Sequence, residues 1–227
     1  QFNLDGYAFE GDVRLLGVVD AHMYPGTQAF MRFDYPSRLA PAVVARAGEV
    51  ARRFMAAVGF SHGLFNMEFF YDEHRDELTV IEFNPRMAAQ FSDLYGRVDG
   101  LNLHEIAMNL AHGRDPAQIR PMPAAAACAS SFVFRSFPGR RALSAPQRHQ
   151  RALLASAYPD AVLMSYPRSA SDVMRDHKWL GSSRHGILNL GGADPQDLER
   201  RCEVASHLLG WTPPQRRTAS LPQAVMG

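Results

Sequence analysis

Residues 63–90 read GLFNMEFFYDEHRDELTVIEFNPRMAAQ, two apolar runs joined by a polar segment over 72–77. Each run carries one acid, Glu68 and Glu82, and the second ends in Glu82, Phe83, Asn84, Pro85 and Arg86. Side chains alternate across a strand, so Glu82 and Asn84 share a face, as do Asn66, Glu68 and Phe70. A hairpin turning near residue 75 pairs residues whose numbers sum to about 150. That register sets Glu68 against Glu82 and Asn66 against Asn84. Cβ atoms of opposed residues lie roughly 4.5–5.5 Å apart, and like charges there repel. A shared proton or a divalent cation offsets the repulsion, since two carboxylates and an amide oxygen are hard-oxygen ligands. The alternative from the hairpin alone is a solvated face that happens to carry two acids. The next residues favour the cation. Pro85 ends the ladder, and Arg86 beyond it is a planar donor suited to phosphate oxygens. Together these groups form a Mg-nucleotide constellation.

The surrounding chain supplies a scaffold for that hairpin. Residues 2–9 and 13–21 are two β-rich runs separated by Glu10, Gly11 and Asp12, which predicts a further hairpin. Residues 22–39, broken by Pro25, Gly26 and Pro36, read as irregular. From Pro41 to Gly59, apolar residues at Val43, Val44, Ala47, Val50, Ala51, Phe54 and Val58 predict an amphipathic helix capped by the glycine. A second helix is expected over 101–112, stopped at Gly113. Pro116, Pro121 and Pro123 then mark a boundary.

Beyond it the pattern predicts a strand over 125–136, a helix over 147–157, and a strand over 161–166. A polar stretch reaching Lys178 and Trp179 follows, then a strand over 185–190 and a helix over 195–210 with Asp194 as its N-cap. This mixture predicts an α+β fold with an antiparallel sheet. The expected division is residues 1–118 and a smaller α+β domain over 119–227. The Pro-, Arg- and Ser-rich end of the chain reads as a flexible tail.

Composition narrows the function classes. The 227 residues are 46% hydrophobic and carry a formal charge of +1, so no overall field favours nucleic acid or a membrane surface. Cys128 and Cys202 lack zinc-site spacing and predict ordinary thiols rather than a disulfide framework. No apolar run approaches the roughly 20 residues that span a bilayer, and a cytoplasmic protein is expected. The chain opens on Gln1 in a strand pattern, which suggests a piece of something longer. Its basic residues are arginines apart from Lys178.

The motif FNMEFF with LTVIEFNPRMAAQ, followed by GLNLHEIAMNLAHG, resembles the C-terminal half of the ATP-grasp ligase fold. That group includes biotin carboxylase, carbamoyl phosphate synthetase and D-alanine-D-alanine ligase. QFNLDGYAFEGDVRLLGVVD is similar to the strand pair of that half, and PAVVARAGEVARRFMAAVGF to the helix before its metal-binding strands. The resemblance covers about residues 1–116. It implies that Glu68 and Glu82 bind Mg2+, or Mn2+ in its stead, with Glu82 bridging two ions. Asn84 completes the second site, and Arg86 acts catalytically on phosphate or an acyl-phosphate intermediate. It further implies ATP as cofactor, and a small carboxylate substrate activated as an acyl phosphate before an amine forms a C–N bond.

The family's lysine-bearing lid has no counterpart here. The expectation is therefore a C-terminal part of a ligase, inactive alone, whose N-terminal half lies elsewhere in the same protein. A homodimer is left open. The rival reading is a non-catalytic nucleotide-binding or regulatory module of ATP-grasp shape. Residues 125–210 are more similar to the C-terminal domain of amino-acid or dipeptide ligase-like members than to the biotin carboxylase tail.

Other polar groups read mainly as structural. His62, His74, His104 and His112 have no ligand spacing. Asp172, Arg175, Asp176, His177 and Lys178, with Ser182, Ser183 and Arg184, read as a solvated loop or as a segment reading substrate. Gln90, Ser92 and Asp93 are open between substrate contact and surface. Gly191 and Gly192 lack a phosphate-loop pattern.

Overall fold

The computed structural model describes residues 1–139 and 143–214, and the expected tail lies largely outside them. The fold is α+β, with antiparallel strand pairs and helices. The chain divides into two compact units, one of residues 1–21 with 34–126 and one of 22–33 with residues 127 onward.

The first unit begins with β1 (Phe2–Phe9) and β2 (Asp12–Met23), the hairpin turning at Glu10 and Gly11, both at positive φ. Helix α1 (Pro41–Val58) leads to the hairpin of β4 (Gly63–Asp72) and β5 (Glu77–Asn84). A strand between them, β3 (Phe30–Tyr35), is described below. The order within this unit is β5-β4-β1-β2. Pro41 starts α1 without losing a hydrogen bond, and Gly59 ends it in the left-handed region at φ 68°, with its N–H donating to Ala56 O.

Alternation along β1 decides what each face of the sheet carries. Phe2 and Leu4 pair with Phe69 and Met67 of β4 and pack with Ala47, Ala51 and Met55 of α1. The Phe2 and Phe69 rings stack at 5.2 Å. Asn3 and Asp5 occupy the intervening positions and point to the other face. On that side the rings of Tyr35 and Tyr95 meet at 4.6 Å, Tyr95 coming from α2 (Ser92–Val98). Gly17, paired with Asp5, leaves room for both, since a Cβ there would lie 2.7 Å from each ring. Helix α3 (Leu103–Ala111) follows, its Asn102 side chain accepting from the N–H groups of His104 and Glu105.

The second unit contains β6 (Cys128–Ser136), β7 (Val162–Ser165) and β8 (Ser183–Gly192), ordered β6-β8-β7. Helices α4 (Arg148–Ala157), α5 (Ala170–Leu180) and α6 (Pro195–Leu208) complete it. Phe132, Phe134, Leu188 and Leu190 pack with Leu198, Cys202 and Ala205 of α6. Trp211 closes this core against Phe134 at 4.7 Å, its Nε1 donating to Ser144 O. Both cysteines are free thiols.

Two stretches differ from the sequence expectation. Residues 22–39 contain β3 rather than irregular chain throughout. The turn at Pro25 and Gly26 is real, with Tyr24 N–H donating to Ala29 O, but the six residues over 30–35 form a strand. The polar stretch before Trp179 is helix α5, not a loop. Its Ser169 and Asp172 form a reciprocal capping box, while Met174, Trp179 and Leu180 face solvent and the residue it buries is Asp176. No helix among the described residues is long and apolar enough to cross a membrane.

Candidate functional site

The β4–β5 ladder pairs Glu68 with Glu82 and Asn66 with Asn84. Between Glu68 and Phe69 the register slips, because Phe69 pairs with Val80 and Ile81 is left as an extra residue. This is a β-bulge, a device that re-aims side chains locally. Adding β1 extends the pairs into rows. Asn3, Glu68 and Glu82 form one, and Asp5, Asn66 and Asn84 the next. Six polar side chains thus occupy neighbouring positions on one face of three strands.

The two acids are unequal. Glu68 is half-buried and accepts from Gln1 Nε2 at 2.8 Å, whereas Glu82 is exposed and accepts from Asn84 Nδ2 at 2.6 Å. Burial first, then the charge of Glu82, raises the Glu68 carboxyl above its ordinary value. Arg86 Nη2 donates to Asn84 Oδ1 at 3.3 Å, and its positive charge opposes the rise at Glu68. Glu68, Glu82, Asn84 and Arg86 are therefore brought together at the end of β5.

An adjoining group was not singled out from the sequence. Asn3, Asp5 and Asn66 are 2–3% exposed and Tyr95 is fully buried. Asn66 Nδ2 donates to Asn3 Oδ1 at 3.2 Å and to Asp5 Oδ1 at 3.1 Å, and Tyr95 OH donates to Asp5 Oδ2 at 2.8 Å. Burial pushes the Asp5 carboxyl up to about 7, against the lowering effect of the Tyr95 and Asn66 donors. Asn3 Nδ2 is buried without a partner. An acid and an amide at alternate positions of β1 were the available signal, the same kind that marks Glu68 and Asn66.

The remaining candidates separate from this face. Asp93 accepts from Arg97 Nε at 2.7 Å within α2, and His62 Nε2 lies 2.8 Å from Leu110 O, both structural contacts. In the second unit, Asp176 is buried and accepts from Ser183 Oγ at 2.9 Å, while His177 and His185 flank Ser136 Oγ. Gly192 ends β8, where a Cβ would press on Leu198. Among the described residues no three His, Cys, Asp or Glu side chains gather as a metal site. The donor set of the β4–β5 hairpin is two carboxylates plus amides. Opposed acids with a raised carboxyl and hard-oxygen neighbours suit a divalent cation such as Mg2+.

No family model matches the chain, and no curated protein matches it in sequence. Solved structures do match. Biotin carboxylase from Campylobacter jejuni, in a β-γ-ATP complex, superposes with a TM-score of 0.63 at 16% identity, over 96% of this chain and 48% of that one. L-amino acid ligase from Bacillus licheniformis gives 0.68 at 11% identity, over 91% and 49%. N5-carboxyaminoimidazole synthase from Aspergillus clavatus, in complex with ADP and 5-aminoimidazole ribonucleotide, gives 0.57 at 14%, over 92% and 50%. The fold is that of the ATP-grasp enzymes. The chain spans about half the length of the ATP-grasp structures it matches. At these identities the likeness is one of fold, so the ATP-grasp site residues rest on this chain's own geometry.

Proposed function

We propose that this chain is the metal-binding part of an ATP-dependent carboxylate-amine ligase. The observation that carries the reading is the directly opposed Glu68 and Glu82, with Asn84 and Arg86 in contact beside them. Glu68, Glu82 and Asn84 are the residues that would hold Mg2+. The chemistry the ion supplies there is neutralisation of charge on nucleotide phosphate oxygens. Arg86, exposed and carrying a fixed positive charge, presents planar donors to the transferring phosphoryl group or to the acyl phosphate formed from it. A small carboxylate is the substrate class and an amine the nucleophile.

In the ATP-grasp enzymes lysines reach the α- and β-phosphates from another part of the fold. Lys178, this chain's sole lysine, lies on α5 in the second unit. Residues 1–118 act as the C-terminal subdomain of the ATP-grasp domain and 119–227 as an appended domain. On this reading the complete protein is the catalyst, in the cytoplasm, and this chain alone is inactive.

The test is ADP release by the complete protein against a panel of amino acids and small organic acids, beside Glu82→Gln and Arg86→Ala. Substrate-dependent ADP release that falls at least about a hundredfold in both variants supports the ligase. Nucleotide binding without turnover on any substrate would instead establish the non-catalytic module.

A further inference from the structure

Asn66 lies at the centre of the polar face, and its orientation is fixed from one side. Both protons of its amide nitrogen go to β1, one to Asn3 Oδ1 and one to Asp5 Oδ1. Swapping oxygen for nitrogen would aim an acceptor at the Asp5 carboxylate, so above about pH 7, where Asp5 is ionised, it decides which way the amide stands. Tyr95 OH holds the other carboxylate oxygen at 2.8 Å, and the whole group is 3% exposed or less. With the nitrogen committed to β1, the amide oxygen is left for a further partner. On the side of β4 away from β1 runs β5, with Asn84 opposite Asn66 and Glu82 two pairs along. Among the described residues, nothing donates to Asn66 Oδ1.

We propose that Asn66 offers its side-chain oxygen as a further ligand to the divalent cation of Glu68, Glu82 and Asn84, and that Asp5 is the positioning residue that keeps it turned there. The inference rests on the proposed cation site. It adds a neutral, pre-oriented donor from β4 to a set otherwise made of two acids and the terminal amide of β5. A buried acid that never meets the ion then controls its affinity through one amide, as partners of metal ligands do. The unpartnered Asn3 Nδ2 provides a means of testing this. Exchanging the pair, Asp5→Asn with Asn66→Asp, lets the amide now carried by β1 donate to the carboxylate now carried by β4 and still accept from Tyr95. It also gives Asn3 Nδ2 an acceptor and leaves one carboxylate oxygen facing β5.

The experiment is Mn2+ binding to this chain, read from the electron paramagnetic resonance signal of free Mn2+, with thermal melts reporting folding. Relative to the unaltered chain, Asp5→Asn and Asn66→Ala should each weaken Mn2+ binding about tenfold or more. The exchanged double variant should recover it, which a merely structural role for Asp5 does not predict. If Asp5→Asn does not fold, the double variant and Asn66→Ala carry the comparison. Unchanged affinity in folded single variants, or no recovery in the double, overturns the role of Asp5 and Asn66 while leaving the Glu68–Glu82 site standing. Failure of the unaltered chain to bind Mn2+ overturns the site and this inference with it.

Discussion

Glu68 faces Glu82 directly across the β4–β5 ladder, and the pairing slips by one residue at the next position. Without a cation the two acids repel, and Glu82 contributes to the raised Glu68 carboxyl after burial. A carboxyl raised in the folded state is most stabilising at low pH and loses that contribution as pH climbs through its folded value. Glu82→Gln should therefore stabilise the metal-free chain at pH 8 by up to about 1 kcal/mol and draw the Glu68 titration toward its ordinary range. Urea unfolding and carboxyl NMR titration check both parts.

Asp5 gives a sharper pH dependence. Its carboxyl titrates near 7 in the fold against an ordinary value of 3.8. Between those values the folded state holds a proton that the unfolded state has released, so stability falls as pH rises from about 4 to about 7, then levels. Asp5→Asn should remove this slope. The expected outcome is a urea midpoint for the variant that exceeds that of the unaltered chain at pH 8, with the difference closing toward pH 4.

Gly17 supplies a steric test of the same face. An added methyl would meet the Tyr35 and Tyr95 rings at 2.7 Å, so Gly17→Ala should cost about 1–3 kcal/mol in thermal melts. Gly96 within α2 is the control, since a Cβ there finds its nearest neighbour at 3.7 Å. Gly96→Ala should stabilise by about 0.5–1 kcal/mol.

In the second unit, Asp194 accepts from Asp197 N–H at 2.8 Å and caps α6. Asp194→Ala should destabilise by about 1 kcal/mol, measured by urea unfolding, with no change in Mn2+ binding at the β4–β5 hairpin.

Much of this was legible in the chain because it is local. The alternation of β4 and β5 and the short loop between them set Glu68 against Glu82 before any coordinates, and Gly59 and Asp194 announced the helix ends. What was not legible depends on distant pairing. Asp5 on β1 is an unremarkable strand acid until β4 is laid beside it with Asn66 opposite, a relation sixty-one residues apart in the chain. Helix α5 was hidden for a different reason. Val173, Met174 and Leu180 recur at helical spacing, but the polar residues between Asp172 and Lys178 read as a solvated loop, and the residue the helix buries is Asp176.

The intercalation of two chemistries along β1 also guards the strand against mispairing. Phe2 and Leu4 belong beneath α1 while Asn3 and Asp5 belong with the tyrosines, so a one-step slide would drive a carboxylate into the grease and strand two large apolar groups among the amides. Misaligned copies of the strand are thereby penalised twice over, and the residues suited to chemistry double as a ruler for assembly.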